Sequence, residues 1–426
     1  MRRRVLAAVF FADAISLALG MGVASFWVFG EVLPWQSFHG ADVLPMLAII
    51  AGGLSLGSWL TKRAYGRGVP RPSYGRGVSI STITLASTAL ALVFLRSVYY
   101  SRPFILIAVG TGFLLGLGAR AYTRSRPWTE SMLVISGEKG LVDDLMLSPH
   151  TNVLEIIDPQ THLPPPPPAR DVTIVLDLRA LLSEEAAQFV SSSNLAGLRL
   201  RPLVDVYEEH TGRMAIVHLA EGWELRMPVE ASSYLLVKRG VDLLLVALAA
   251  PLALVLSLLL WPLIRFDSKG AAIFKQVRVG RTDKPFTAYK FRTMADGADQ
   301  NGAQMAQIDD PRLTRVGRVI RKFRLDELPQ LWNVAKGDLS MVGPRPEQPA
   351  FVEQFEQAIP FYGHRHLIRP GVTGWAQVHY GYADSEADTI EKLTYDLYYV
   401  KHMSPWVDLH VLGKSVWTVL SGFGAR

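Results

Sequence analysis

The sequence contains no cysteine. That absence excludes a disulfide framework, a thiol nucleophile and any metal held by thiolates. It also lacks zinc-ligand spacing and any basic repeat interleaved with aromatics, so nothing points to nucleic acid. Charged residues make up 19% and hydrophobic ones 49%, with a mean hydropathy of +0.19. The chain is too apolar for an ordinary soluble protein and too charged to lie wholly in lipid. Membrane segments joined to at least one water-facing domain follow. A formal net charge of +6 over 426 residues suits an anionic membrane surface or the handling of phosphates.

Four apolar stretches occupy residues 5–30, 43–60, 78–95 and 104–121. Each approaches the ~20 residues a spanning helix needs. The first follows Arg2, Arg3 and Arg4 and ends in small residues, as a secretory signal does. It continues through Phe26, Trp27 and Phe29, however, and reads as an uncleaved anchor. Basic residues cluster before the first stretch, between the second and third (Lys62, Arg63, Arg67, Arg71, Arg76) and after the fourth (Arg120, Arg124, Arg126). The positive-inside rule then places the N-terminus and everything after Arg120 in the cytoplasm. Asp13 lies inside the first stretch and is expected to face a neighbouring helix or the interface.

From Ser131 the pattern becomes strand, helix, strand, strand, helix: 132–137, 141–147, 153–158, 171–177 and 183–192. Such alternation implies a small parallel α/β domain. Pro164 to Pro168 reads as an extended spacer within it. Its first turn, Gly137-Glu138-Lys139-Gly140, is not the G-x-G-x-x-G of a dinucleotide site, and Glu138 would repel phosphate. Residues 205–219 read as strand-turn-strand.

Residues 241–264 are apolar and long enough to cross a membrane. Yet Lys238 and Arg239 precede them, and Arg265, Lys269, Lys275, Arg278 and Arg281 follow. By the same charge rule, both ends belong in the cytoplasm. Pro251 removes a backbone donor and clashes with the preceding turn. A helix that enters, breaks at Ala250-Pro251 and returns to the same face resolves the conflict.

The remainder is basic and rich in rigid turns. Residues 274–279 and 286–293 read as a hairpin that puts Lys290 and Arg292 on one strand face. Arg315, Arg318 and Arg321 form a stripe on a helix. Asp326 and Glu327 precede Pro329, which fits only near a helix start, and Lys336-Gly337 is a stop signal. Adjacent carboxylates there are a simple helix cap or, in this basic setting, a nucleophile beside a metal-binding group. Arg345, between Pro344 and Pro346 and followed by Glu347, is a guanidinium pre-aimed at phosphate, and Arg369 repeats the style before Pro370-Gly371. His364 and His366 flank Arg365 with no third metal ligand evident, and are read as surface or phosphate-facing. Residues 406–423 read as an amphipathic helix, lying in the interface or packed on the core.

YKFRTM at 289–294, LDELPQLWNV at 325–334, KGDLSMVGPRP at 336–346 and RPGVTGWAQ at 369–377 together resemble the monotopic phosphoglycosyl transferases, or bacterial sugar transferases. The resemblance runs from Lys238 to the end, and the preceding arrangement is similar to the family's large subgroup. It implies a four-helix transmembrane region (1–126), a Rossmann-like cytoplasmic domain (127–232) and a catalytic domain (233–426) with a re-entrant helix near 238–265. It implies transfer of a phospho-sugar from a UDP-sugar to polyprenyl phosphate with release of UMP. Asp326 would be the nucleophile, Glu327 the support for Mg²⁺, and Arg345 a phosphate contact. Lys290, Arg292, Arg321, Glu347 and Arg369 complete the expected substrate-binding set, with Asp326 and Glu327 as metal ligands. A homodimer in the bacterial inner membrane is compatible with this reading. The family's Ser-Pro break is Ala250-Pro251 here, without the hydroxyl as a local cap. Two rivals remain: a membrane-anchored nucleotide-sugar dehydratase, for which Tyr234 and Lys238 supply a Y-x-x-x-K, and an inactive scaffold of polysaccharide assembly.

Overall fold

The computed structural model describes residues 2–33, 40–64, 73–95, 101–125, 129–160, 172–216, 234–295, 310–380 and 386–421. The proline run 164–168, the loop arginines 67, 71 and 126, and Phe423 lie outside them. The chain divides into two compact units, Met1–Glu130 and Ser131–Arg426.

Among its described residues the first unit holds four helices: α1 (Arg2–Phe29), α2 (Gly40–Ala64), α3 (Tyr74–Phe94) and α4 (Arg102–Ser125). All four are long and apolar enough to cross a membrane. Leu17, Ile50, Ile80 and Phe104 bring one residue from each into a shared core. Small residues let α1 and α4 touch backbone to backbone. A Cβ on Gly20 would lie 2.3 Å from the Ala108 carbonyl, and one on Gly112 3.0 Å from the Leu17 Cα. Asp13 is buried between these helices and accepts two hydrogen bonds from Arg120, at 2.6 and 2.7 Å. It therefore faces a neighbouring helix, as expected of it.

The second unit opens with β1 (Glu130–Ile135), α5 (Lys139–Leu147), β2 (Thr151–Ile157), β3 (Thr173–Leu176), α6 (Glu184–Leu195), β4 (Arg199–Pro202) and α7 (Leu203–Thr211). The strand order is β2-β1-β3-β4, with β1–β3 and β3–β4 parallel. Alternate residues of β1 serve opposite faces. Met132 and Val134 join Leu145 and Val206, while Leu133 and Ile135 join Phe189 and Leu198. Both faces are thus covered, which explains the uninterrupted apolar run. The expected strand-turn-strand at 205–219 is wrong where the structure describes it. Leu203, Val206 and Tyr207 recur at helical spacing on the buried face of α7, which Gly212 ends at φ +66°.

Next comes α8 (Tyr234–Asp267), one continuous helix through Ala250, Pro251 and Pro262. The break expected at Ala250-Pro251 is thus no gap in the helix. Leu244, Leu248, Leu252, Val255, Leu258 and Leu259 are all exposed. Its two ends are not free. Arg239 donates to the Val334 and Ala335 carbonyls (2.6 and 2.8 Å), and Asp242 accepts from Ser340 Oγ and the Met341 amide. Tyr234 Oη and Lys238 Nζ both reach the buried Asp408, at 2.6 and 2.5 Å. At the far end Arg292 donates to the Ser268, Lys269 and Ile264 carbonyls.

Strands β5 (Ile273–Val279) and β6 (Pro285–Phe291) form the expected antiparallel hairpin. Then follow α9 (Arg315–Lys322), α10 (Gln330–Lys336), β7 (Ser340–Val342), α11 (Pro349–Ala358), β8 (Gly371–Thr373), α12 (Trp375–His379), α13 (Glu386–His402) and α14 (Pro405–Ser421). β7 and β8 pair in parallel. Val342, Phe355, Leu397, Tyr399 and Val411 form the core here, so one face of α14 is packed on protein. Its Leu409 and Val416 are exposed. The end of α7 docks on this part: Trp375 Nε1 donates to the Gly212 carbonyl (2.8 Å), and Glu208 is bridged by Lys401 and His402.

Asp13→Ala would leave Arg120 buried without its counter-charge, a loss of about 3–5 kcal/mol. Thermal unfolding of the detergent-solubilised protein should show a lower midpoint, and Asp13→Leu with Arg120→Met should recover most of it. An unchanged midpoint in the single variant would remove the pair from the account of how α1 and α4 hold together.

Candidate active site

The side chain of Thr314 accepts from the Gly317 amide and starts α9. The helix stops at Phe323, and Arg324 adopts a left-handed backbone with φ +56°. For a residue with a Cβ this costs about 1–2 kcal/mol. The turn feeds a short 3-10 segment, Leu325–Glu327, which buries both carboxylates. Pro329 then precedes α10, and Gly337 closes it at φ +99°. The two acids therefore sit one turn ahead of α10 instead of capping it.

Glu327 is surrounded by cations. Its Oε1 accepts from Lys290 Nζ at 3.1 Å and from both terminal nitrogens of Arg345 at 3.3 Å, and Arg324 Nη1 stands 3.9 Å away. Burial pushes this carboxyl up, but Lys290, Arg345 and Arg324 outweigh it and hold it well below the ordinary carboxylate range. Asp326 goes the other way. Burial, reinforced by the Glu327 charge, pushes it up to about 6, against the pull of the same three cations. Its Oδ1 is buried and has no hydrogen-bond partner among the described residues. An unmet buried carboxylate oxygen is costly, and it marks a place for an electrophile or a cation. With both acids ionised, three cations leave the cluster one positive charge in excess, which suits an anionic ligand.

The Arg345 loop is held at every peptide. The carbonyls of Pro344, Arg345, Pro346 and Glu347 accept from the Gly371 amide, Arg365 Nη2, Arg278 Nη1 and the Val279 amide. The two prolines anticipated a rigid loop; the four acceptors show what holds it. Lys290 is aimed by Asn333, whose side chain accepts from the Tyr289 amide and donates to the Thr287 carbonyl, tying β6 to α10.

Lys290, Arg345, Asp326 and Glu327 thus come together. Arg292 does not. Its guanidinium is spent on the C-terminal carbonyls of α8, because a helix end leaves acceptors that a buried arginine can satisfy. Glu347 is taken by Lys392 (2.7 Å) and Arg278 (3.5 Å); against the upward push of burial, Lys392, Arg365 and Arg278 hold it down to about 2. It pins the loop and is not a free ligand. Arg321 is half-buried on α9 and Arg369 half-buried before β8, and neither bonds to the dyad. Burial, with Arg239 and Arg281 nearby, lowers Arg369.

Arg365 is fully buried, paired with Asp396 at 2.7 Å, and passed unnoticed between its two histidines. His366 is buried and does not lie on the surface. It meets Asp283 and Glu356, two acids distant in sequence. Its 2.6 Å contact with Asp283 is a hydrogen bond, shorter than the ~3.4 Å that separates two ligands on a tetrahedral zinc. Tyr234 and Lys238 converge on Asp408 and serve as a clamp, leaving the dehydratase reading without its catalytic pair.

A buried carboxylate pair, over-compensated by cations, thus stands in a chain that has, among the described residues, five helices long and apolar enough to cross a membrane. Residues 233–422 match the family described as bacterial sugar transferase. A putative undecaprenyl-phosphate N-acetylgalactosaminyl 1-phosphate transferase of Bacillus subtilis is 47% identical over 140 residues, 32% of this chain and 76% of that protein. The UDP-N-acetylgalactosamine-undecaprenyl-phosphate N-acetylgalactosaminephosphotransferase of Aeromonas hydrophila is 46% identical over 59% of this chain. The UDP-glucose:undecaprenyl-phosphate glucose-1-phosphate transferase of Escherichia coli is 38% identical over 44%. The alignments span 60% and 40% of the length of these last two relatives. The chain belongs to the bacterial sugar transferase family.

Proposed function

We propose that the chain transfers a phospho-sugar from a UDP-sugar to polyprenyl phosphate, releases UMP and so starts a membrane-attached glycan. The observation that carries this reading is Asp326, buried, with one oxygen unspent, beside a Glu327 already neutralised. The Asp326 carboxylate attacks the phosphorus that bears the sugar. The bond from that phosphorus to the UMP oxygen breaks, and UMP leaves with the electron pair. An oxygen of polyprenyl phosphate then attacks the same phosphorus and frees Asp326. Lys290 and Arg345 offset the charge of the diphosphate, the main demand of phosphoryl transfer. Asp326 and Glu327 fit Mg²⁺, since a hard cation takes one or two carboxylates plus substrate phosphates and Asp326 Oδ1 is an open ligand. When bound, the ion would supply further neutralisation of the diphosphate.

The N-acetylgalactosamine-type relatives align at 46% and 47% and the glucose types at 33% to 40%, so UDP-N-acetylgalactosamine is the first donor to try. On this reading α1–α4 form a transmembrane bundle, the parallel sheet is a Rossmann-like cytoplasmic domain, and the catalytic part lies on the cytoplasmic face of the bacterial inner membrane. Helix α8 is re-entrant. What supports this is that its two ends bind one body: α10 at the start and Arg292 at the end, with α10 bonded to β6 through Asn333.

Asp326→Asn should lower UMP release by on the order of 10³-fold or more, measured with UDP-sugars and polyprenyl phosphate. Full activity in that variant would end the nucleophile assignment. Because the Asp326 carboxyl is raised, it takes up its proton as pH falls through about 6, and single-turnover UMP release should fall over that range. A single cysteine at Arg426, in a chain with no other, should label only from the cytoplasmic side; periplasmic labelling would sink re-entrance.

A further inference from the structure

Arg324 stands where an arginine is at a disadvantage. Its φ of +56° is a left-handed conformation that glycine or asparagine adopts more readily. The turn itself needs only backbone: the Arg324 amide donates to the Arg321 carbonyl, and the Glu327 amide to the Arg324 carbonyl. Such strain persists at sites where a side chain is wanted for its chemistry.

The guanidinium is also the uncommitted one of the three. Lys290 and Arg345 are hydrogen-bonded to Glu327 and their side chains are 20% and 30% exposed. Arg324 is 37% exposed, is 3.9 Å from Glu327 and makes no side-chain hydrogen bond among the described residues. It lies two residues before Asp326, at the rim of the buried pair. A planar fork of unspent donors at the mouth of an anion site matches the oxygens of a diphosphate.

We propose that Arg324 is a catalytic residue that donates its free guanidinium N–H groups to the diphosphate of the nucleotide-sugar as the phosphoryl group moves to Asp326. This rests on the transfer reading above, and deepens it by adding a residue outside the sequence-derived site. The strained backbone makes the assignment testable apart from folding, because Arg324→Gly relieves the turn while removing the side chain.

The full chain in detergent, as wild type, Arg324→Gly and Arg324→Lys, is compared by thermal unfolding, single-turnover UMP release and UDP affinity. Arg324→Gly should melt at or above the wild-type midpoint, release UMP about 10- to 100-fold more slowly and bind UDP at least several-fold more weakly. Arg324→Lys should fall between, and added guanidinium ion should restore part of the Arg324→Gly rate. An Arg324→Gly protein with wild-type release and wild-type UDP affinity overturns the assignment. So does a lost rate matched by a lowered midpoint and not rescued by guanidinium, which is the mark of a structural turn. No release by wild type overturns the transfer reading instead, and the UDP affinities of the two proteins then decide for or against the arginine.

Discussion

The charge on Glu327 is the constraint around which residues 234–421 are arranged. A carboxylate this buried is tolerated only with close counter-charge, and Lys290 and Arg345 supply it through hydrogen bonds to one oxygen. Each partner has to be delivered from a different element. Lys290 comes from β6, Arg345 from the loop after β7, and Glu327 from the turn before α10. The ion cluster is therefore also the point where three segments are brought into register. Its consequence for Asp326 is opposite in sign: burial and its neighbour's charge raise it, while its Oδ1 stays unclaimed.

Much of the surrounding polar chemistry is spent on holding those partners still. Asn333 ties β6 to α10 beneath Lys290, and Arg365 with Asp396 holds the Arg345 carbonyl. Glu347, Lys392 and Arg278 hold the same loop from the other side. Groups held still can let positioning act together with charge in phosphoryl transfer. The same economy recurs at the root of α8. Arg239, Asp242, Lys238 and Tyr234 bind it to α10, β7 and α14, and Arg292 closes its far end. The bare apolar middle of the helix is what remains for lipid.

Sequence reasoning was strongest where a local rule decides. Residues 104–121 announced α4 because a long apolar run has few other places to go. The hairpin at 274–293 and the stop at Gly337 followed from turn chemistry. The reading failed at α7, where Val204, Val206 and their neighbours fit both a strand and a helix period over so few residues. At Arg292 and Glu347 the structure shows partners that the pattern did not reveal. Their charge was legible, but which partner would claim that charge depends on residues 23 or more positions away along the chain for Arg292, and 45 or more for Glu347.

The sequence by itself determined the membrane segments, the alternating α/β region, the carboxylate pair and the rigid Arg345 loop. These depend on composition, period and proline, which act within a few residues. Only the tertiary structure decided which cations reach Glu327, that Asp326 keeps an open oxygen, that Arg324 is strained and unspent, and that both ends of α8 hold one body. Those outcomes are competitions between distant donors for the same acceptor, and a linear pattern records the competitors without recording which of them wins.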